Sequence, residues 1–440
     1  MSSSNSHHLA PSTSAGKHKW THNEQNFVVH KIPIRPYPDG LADSTSYASR
    51  VHSECAFLID EDLIPLLPTT VVSPVPSQPS WPFVVGDTPD RGTVMLASHD
   101  IPEGGLILIE HPVIITPGIL HGLHSEGYEV LYEALGPDAT VELLDMYNCM
   151  PSEECGIEEG IVRTNGTAID LGFKNAQTGK VRMKDMEKWK GKSVEYGAVF
   201  LKLDRANHSC GPNAAHKWDT ATLSSSLYAL RPIKKGEEIN IIYTDVAASR
   251  EERRAHLYQN YRFTCQCPSC DLPSLEQVTR SDSARKDLRE WRQTHPTFWK
   301  WSRDLCRDDY TVINSHLEAL ELIEQESLQG MQGIFIEEIA LSYAILGDEE
   351  QFRIWAKRMV DLVSICDPQQ AGEFAKWLDN PKSYKQWAWR KKQRTCRSSF
   401  WLSISRVVNA RSLPDTTPGR KARQQPSSPS TSPLLPLLQL

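Results

Sequence analysis

Asn207-His208-Ser209-Cys210-Gly211-Pro212-Asn213 is the stretch on which the fold turns, because almost every position in it is a chemically committed residue type. Downstream comes Gly236-Glu237-Glu238-Ile239-Asn240-Ile241-Ile242-Tyr243, in which Ile239, Ile241 and Tyr243 alternate onto one face of a strand. Tyr261-Arg262-Phe263-Thr264-Cys265-Gln266-Cys267-Pro268-Ser269-Cys270 follows, with three thiols within six residues, one short of a tetrahedral zinc site. The chain has ten cysteines, and its start, Met1-Ser2-Ser3-Ser4-Asn5, carries neither a basic nor an apolar leader segment. No secretory signal is expected, so the thiols are read as reduced and their one tight cluster as metal-binding.

Around these stretches the texture is that of short strands. Thr93–Ala97 and Leu106–Ile115 are rich in Leu, Ile and Val and are separated by Asp100-Ile101-Pro102-Glu103-Gly104-Gly105, a turn. Ser226–Leu230 and Glu238–Tyr243 repeat the plan across Pro232–Gly236. Gly122–Asn148 reads as helix, with Val130, Leu131, Ala134 and Leu135 on one side. From about residue 281 the apolar period becomes helical. Ile313, Leu317 and Leu320 form one stripe, Phe352, Trp355, Met359 and Leu362 another, and the nearly all-apolar Ile334–Leu346 is expected between them. Gly347-Asp348 supplies a helix stop followed by a start. The class expected is α+β.

The three ordered motifs together resemble the SET-domain protein-lysine methyltransferases. The Tyr243–Cys270 stretch, with Glu251-Glu252-Arg253-Arg254, is most similar to the branch of SET and MYND-domain proteins and their fungal relatives. The resemblance covers roughly 85–275 directly, and the helical region matches that branch's C-terminal, tetratricopeptide-like domain loosely. It implies a SET-domain β-fold of short strands with a helical insertion, a zinc-bearing post-SET segment and a C-terminal helical domain. It also implies methyl transfer from S-adenosylmethionine to a lysine of a histone or other protein.

Residue by residue, the resemblance makes Cys210 the fourth ligand of a closed zinc site with Cys265, Cys267 and Cys270. A closed site has no position for substrate, so that metal is structural. Tyr243 matches the catalytic tyrosine, and Tyr261 and Phe263 match the residues that wall the lysine channel and cover the cofactor's adenine. Asn207 and His208 match the cofactor-binding pair, and Asn165 a further cofactor-contacting asparagine. A turn asparagine before Gly166 is the competing reading of Asn165. Gly92 matches the first glycine of the family's Gly-x-Gly, but the second is Val94, a β-branched residue in a position that normally lets backbone approach the ligand. The two-zinc MYND finger is missing, since the insertion holds only Cys149 and Cys155. A MYND-less SET protein of the fungal kind is the expectation, with a non-catalytic SET scaffold as its rival.

Composition sets the frame around that core. Hydrophobic residues are 39% of the 440, charged residues 23%, and 29 prolines outnumber 24 glycines, with a mean hydropathy of −0.44. Globular parts joined to disordered ones are expected, and no apolar run is long enough to span a membrane. Residues 382–423 hold 12 Lys and Arg against one acid, Asp415, a net +11 that leaves −18 on the remaining chain. Such a tail suits chromatin, nucleic acid, an acidic protein or an import receptor, and Arg390-Lys391-Lys392-Gln393-Arg394 leaves nucleus and cytoplasm both open. The expected organisation is a largely disordered 1–80 with a proline-rich linker, and a SET domain at 81–250 with an insertion at about 120–195. A post-SET zinc segment at 251–275, helices at 281–380 and a disordered basic tail at 381–440 complete it.

Overall fold

The computed structural model describes residues 19–22, 25–36, 54–75, 80–117, 126–171 and 196–395. The chain divides into two compact units, one of residues 1–286, 322–333 and 360–371, the other of 287–321, 334–359 and 372–440.

The first unit is strand-built. Three strands, β1 (Lys19–His22), β2 (Gln25–Arg35) and β3 (Glu54–Asp60), precede the proline-rich stretch and β4 (Val71–Val72) lies within it, in a region expected to be largely disordered. They are followed by β5 (Phe83–Thr88), β6 (Gly92–Ala97), β7 (Leu106–Glu110), β8 (Ile114–Pro117), β9 (Thr167–Ile169) and β10 (Tyr196–Val199). One sheet runs β1-β2-β3-β8-β10-β9, with β4 alongside β2. Cys55 to Ile59 are all 0% exposed, because β3 is covered on both faces and pairs with β8 in parallel, Ala56 opposite Ile114. A strand buried on both faces reads as an apolar run without alternation, which is why the sequence carried no strand signal there.

Four further strands shape the site: β11 (Asn207–His208), β12 (Ala214–Asp219), β13 (Ser224–Ala229) and β14 (Asn240–Ile241). β12, β13 and β7 form a three-stranded sheet, and β5 and β6 a hairpin. The insertion contributes α1 (Glu126–Ala134), α2 (Pro137–Leu144) and α3 (Ile157–Asn165). The helix expected over 122–148 is broken at Gly136-Pro137, with Pro137 starting α2, where its missing N–H costs nothing. Leu131, Leu143 and Ile161 bury their side chains in one cluster with Ala56 and Leu58 of β3. Residues 118–125 and 172–195 lie outside the described residues.

After β14 the chain forms α4 (Arg250–Tyr261), α5 (Leu275–Thr294), α6 (Phe298–Arg303), α7 (Thr311–Glu326), α8 (Gly333–Leu346), α9 (Glu349–Val363) and α10 (Pro368–Asp379). α8 is buried along most of its length, as its apolar composition requires. On α9 the expected stripe holds at Phe352, Met359 and Leu362. On α7 its phase is shifted: Val312, Ile313, His316 and Ala319 face inward and Leu317 is 36% exposed. His316 enters the core because its Nε2 meets the Glu338 carboxylate at 2.9 Å, which also accepts the Phe298 amide at 2.8 Å.

The tail expected to begin at 381 does not begin there, since residues 389–395 are helical and Arg390 is 0% exposed. Arg390 donates to Asp309 at 2.7 Å and to the Trp301 and Asp304 carbonyls at 2.7 and 2.9 Å, and lies over the Trp301 ring at 4.5 Å. Arg394 takes the other Asp309 oxygen at 2.6 Å, and Trp387 packs edge-on against Phe352. Two cations of the basic run are therefore spent inside the helical unit. Residues 396–440 lie outside the described residues. Among the described residues no helix is long and apolar enough to cross a membrane.

Candidate functional site

The site is assembled where β11 and β14 run side by side in parallel, pairing Asn207 with Asn240 and His208 with Ile241. This brings two of the three sequence motifs into contact. The Asn207 carboxamide nitrogen donates to the Thr93 carbonyl at 2.9 Å and to Glu238 Oε1 at 3.1 Å, so it clips the start of β6 onto the segment leading into β14. Gly92 sits at that turn with φ +65°, and a Cβ there would meet nothing within 4 Å. Val94, the residue in the second glycine position, lies within β6 opposite Gly86 and is 1% exposed. The positive φ of this stretch is confined to Gly92, so the valine is not strained by its backbone.

Sequence reasoning missed Arg91. Its guanidinium donates to the His208 carbonyl and to Asn240 Oδ1, both at 3.0 Å, and pairs with Glu238 at 3.3 Å. A single arginine before a glycine has no pattern that could have announced it.

Tyr243 stands two residues beyond β14. Its amide donates to His208 Nδ1 at 3.0 Å, and its hydroxyl donates to the Ala206 carbonyl at 2.8 Å. Burial first, then the Asp204 carboxyl nearby, pushes that hydroxyl well above the usual phenol range, so it stays protonated. Burial holds the His208 ring down to about 4, and it is neutral at neutral pH.

The third motif closes over these groups. α4 begins at a capping box between Ser249 and Glu252 and ends at Arg262, which adopts φ 58° and turns the chain sharply. The turn sets Tyr261 against Tyr243 with ring centroids 5.0 Å apart, and Phe263 lies 6.3 Å from the His208 ring. Tyr243, Tyr261 and Phe263 all pack on the cluster of Cys210, Cys265, Cys267, Cys270 and Leu257.

The four cysteine sulfurs lie within 4.8 Å of one another and all four residues are buried. Cys210 Sγ is 3.5 Å from Cys270 Sγ and 4.0 Å from Cys265 Sγ. A tetrahedron of thiolates about a zinc ion, with Zn–S of about 2.3 Å, has sulfurs about 3.8 Å apart. The donor set and its spacing therefore fit zinc. The sulfur contacts with Cys210 and Cys265 pull Cys270 down to about 6, while contacts with Cys265 and Cys267 push Cys210 up. Arginines surround the sulfurs: Arg253, 0% exposed, reaches Cys270 Sγ at 3.8 Å, and Arg254 and Arg250 donate to the Cys265 and Cys270 carbonyls at 3.0 and 2.7 Å.

Asn165 is held by other partners. It closes α3, and its carboxamide donates to the Tyr147 and Ile161 carbonyls, both at 2.8 Å. It thereby fixes the loop carrying Cys149, whose sulfur lies 3.6 Å from the Asn260 carbonyl at the end of α4.

Known proteins are similar to this chain over part of its length. Residues 92–244 match the family model described as SET domain. The histone-lysine N-methyltransferase set5 of Schizosaccharomyces pombe is 25% identical over 309 residues, covering 69% of this chain and 85% of that protein. The mouse histone-lysine N-methyltransferase SMYD3 is 31% identical over 133 residues, covering 28% of this chain and 29% of its own length. The chicken protein-lysine N-trimethyltransferase SMYD5 is 39% identical over 92 residues, covering 20% and 22%. The chain thus spans most of the yeast relative and less than a third of the two vertebrate ones. Residues 92–244 are a SET domain, and the chain is similar to proteins named as histone-lysine and protein-lysine methyltransferases.

Proposed function

We propose that this chain transfers a methyl group from S-adenosylmethionine to the side-chain amine of a lysine in a protein, a histone being the first substrate to try. The observation that carries the reading is the convergence of Asn207, His208, Tyr243, Tyr261 and Phe263 on one another through the β11–β14 pair and the cysteine cluster.

The residues fit the cofactor. Asn207 offers a carboxamide, Arg91 beside it a cation for a carboxylate, and Tyr261 and Phe263 flat faces for an adenine. When bound, S-adenosylmethionine supplies a methyl carbon activated by a sulfonium. The chain's own contribution is to position the amine and keep water away. Lysine attacks only as the neutral amine, and its free pKa is about 10.4, so a narrow aromatic channel that disfavours the ammonium speeds the reaction. Tyr243 and Tyr261 wall such a channel. The Tyr243 proton is committed to Ala206, so its oxygen faces an incoming amine as an acceptor and aligns the nitrogen. Because the phenol stays protonated, Tyr243 orients the amine and does not take its proton.

Cys210, Cys265, Cys267 and Cys270 hold a structural zinc in this reading. The metal would tie the Asn207–Cys210 strand to the segment bearing Tyr261 and Phe263. Successive helices α7, α8 and α9, of 16, 14 and 15 residues, support a tetratricopeptide-like C-terminal domain. Chromatin contact through the basic tail falls to the cations beyond Arg394, such as Arg397, Arg406 and Arg411. Nucleus and cytoplasm are the proposed locations. The test is transfer of labelled methyl from S-adenosylmethionine into core histones and a cell lysate, with Tyr243→Phe as the control.

A further inference from the structure

From the contacts of one buried cation, we infer that Arg285 of α5 is a positioning residue for methyl transfer: it sets the spacing between the cofactor-side strand and the segment after β14 that carries Tyr243. The inference rests on the methyltransferase reading above and extends it to a residue outside all three motifs.

Arg285 is 0% exposed. Its Nη1 donates to two carbonyls at once, Cys210 at 3.1 Å and Val246 at 2.6 Å. Cys210 lies two residues past His208 and Val246 three residues past Tyr243. The same guanidinium is anchored from behind by Glu326, through the side-chain oxygen at 3.0 Å and the main-chain carbonyl at 3.1 Å. Ser281, one turn earlier on α5, holds the Glu326 carboxylate at 2.5 Å.

The two strands need that staple. Their ladder is only the Asn207–Asn240 and His208–Ile241 pairs, extended by the Ser209 amide on the Ile241 carbonyl at 3.0 Å. Beyond it both chains diverge, one into the Cys210-Gly211 turn and the other toward α4. A forked donor shared by both fixes their separation where the ladder ends. The backing is close-fitting. A Cβ on Gly211 would lie 2.7 Å from the Ser327 Cβ, so the Cys210-Gly211 turn rests directly on the Glu326-Ser327 turn that anchors the arginine. A shift of the Val246 carbonyl moves Tyr243 relative to His208, and reactions of this kind lose about 100-fold for a displacement of about 1 Å.

The test uses the full chain with Arg285→Lys, which keeps the charge and loses the fork, and Glu326→Gln, which keeps an acceptor and loses the charge. Hydrogen exchange is followed over residues 206–213 and 240–247, together with zinc content, S-adenosylmethionine affinity and methyl-transfer rate. Expected for Arg285→Lys is faster exchange in both segments together. Zinc stays at one per chain, cofactor Kd changes by less than about 3-fold, and kcat falls about 10- to 100-fold. Glu326→Gln is expected to show the same pattern more weakly. Unchanged exchange in both segments would overturn the inference, as would a folded Arg285→Lys protein with wild-type kcat. Exchange is read without turnover, so an inactive wild type would sink the methyltransferase reading while the staple still stands or falls on the exchange data. If Arg285→Lys does not fold, exchange and rate in Glu326→Gln decide: wild-type values there count against the staple.

Discussion

The Tyr243 hydroxyl donates to the main-chain carbonyl of Ala206 at 2.8 Å, immediately before Asn207. One hydrogen bond thus joins the proposed catalytic oxygen to the strand proposed to bind the cofactor, and it fixes which lone pairs of that oxygen a substrate amine meets. Removing only the hydroxyl, with Tyr243→Phe, should lower kcat by about 100-fold or more while the ring keeps its packing on Tyr261 and the cysteine cluster. Steady-state rates and a thermal melt together check this; wild-type turnover in a folded variant would contradict it.

The protonation state of Tyr243 gives a pH dependence of definite sign. Its pKa is raised by burial, so the neutral phenol persists above the ordinary value of about 10. Ionisation of the tyrosine therefore removes no activity at lower pH, and the substrate lysine becomes more reactive as its ammonium deprotonates. Under subsaturating substrate, kcat/KM should rise steadily from pH 7 to 9.5. A descending limb that Tyr243→Phe abolishes, centred below pH 9.5, would show that the phenol ionises earlier.

Cys267→Ser should lose zinc. Three thiolates with one hydroxyl make a poorer zinc site, and the 261–270 segment has little apolar material of its own to hold it. Metal analysis should fall from one zinc per chain to near zero, with faster proteolysis around Phe263. Stoichiometric zinc in this variant would remove Cys267 from the ligand set.

Asn207→Ala should weaken S-adenosylmethionine binding by about 10-fold or more, because the clip to the Thr93 carbonyl and Glu238 is lost along with the carboxamide. Calorimetry reads this directly, and an unchanged Kd would exclude Asn207 from the cofactor site.

Arg390→Ala should destabilise the helical unit by about 3 kcal/mol, since it leaves the buried Trp301 carbonyl and the part-buried Asp304 carbonyl without their donor. Chemical denaturation checks it, and a change under about 1 kcal/mol would mean the carbonyls find other partners.

What the sequence disclosed follows from how locally each feature is encoded. Cys265, Cys267 and Cys270 lie within six residues, so their cluster was legible, and the structure brings their sulfurs together; the roles of Asn207 and His208 came from the resemblance. Cys210 as their fourth partner came from resemblance, because 55 residues separate it from Cys265. β3 escaped because its burial on both faces erases alternation, and its partner β8 lies beyond the proline-rich stretch. Arg390 looked like part of a solvated basic tail, since charge composition cannot show that Asp309 and a set of carbonyls await it. The shifted phase of α7 has the same origin: His316 counted as polar until Glu338 gave it a buried partner. Arg91 and Arg285 act through main-chain carbonyls, a target that leaves no mark on the sequence.

The central claim is tested most directly by incubating the full chain with labelled S-adenosylmethionine and core histones, then a cell lysate, and measuring label fixed on protein lysines. The account predicts label on lysine with the wild type and none above background with Tyr243→Phe. Equal label with both proteins, or none with the wild type together with no cofactor binding by calorimetry, would contradict it.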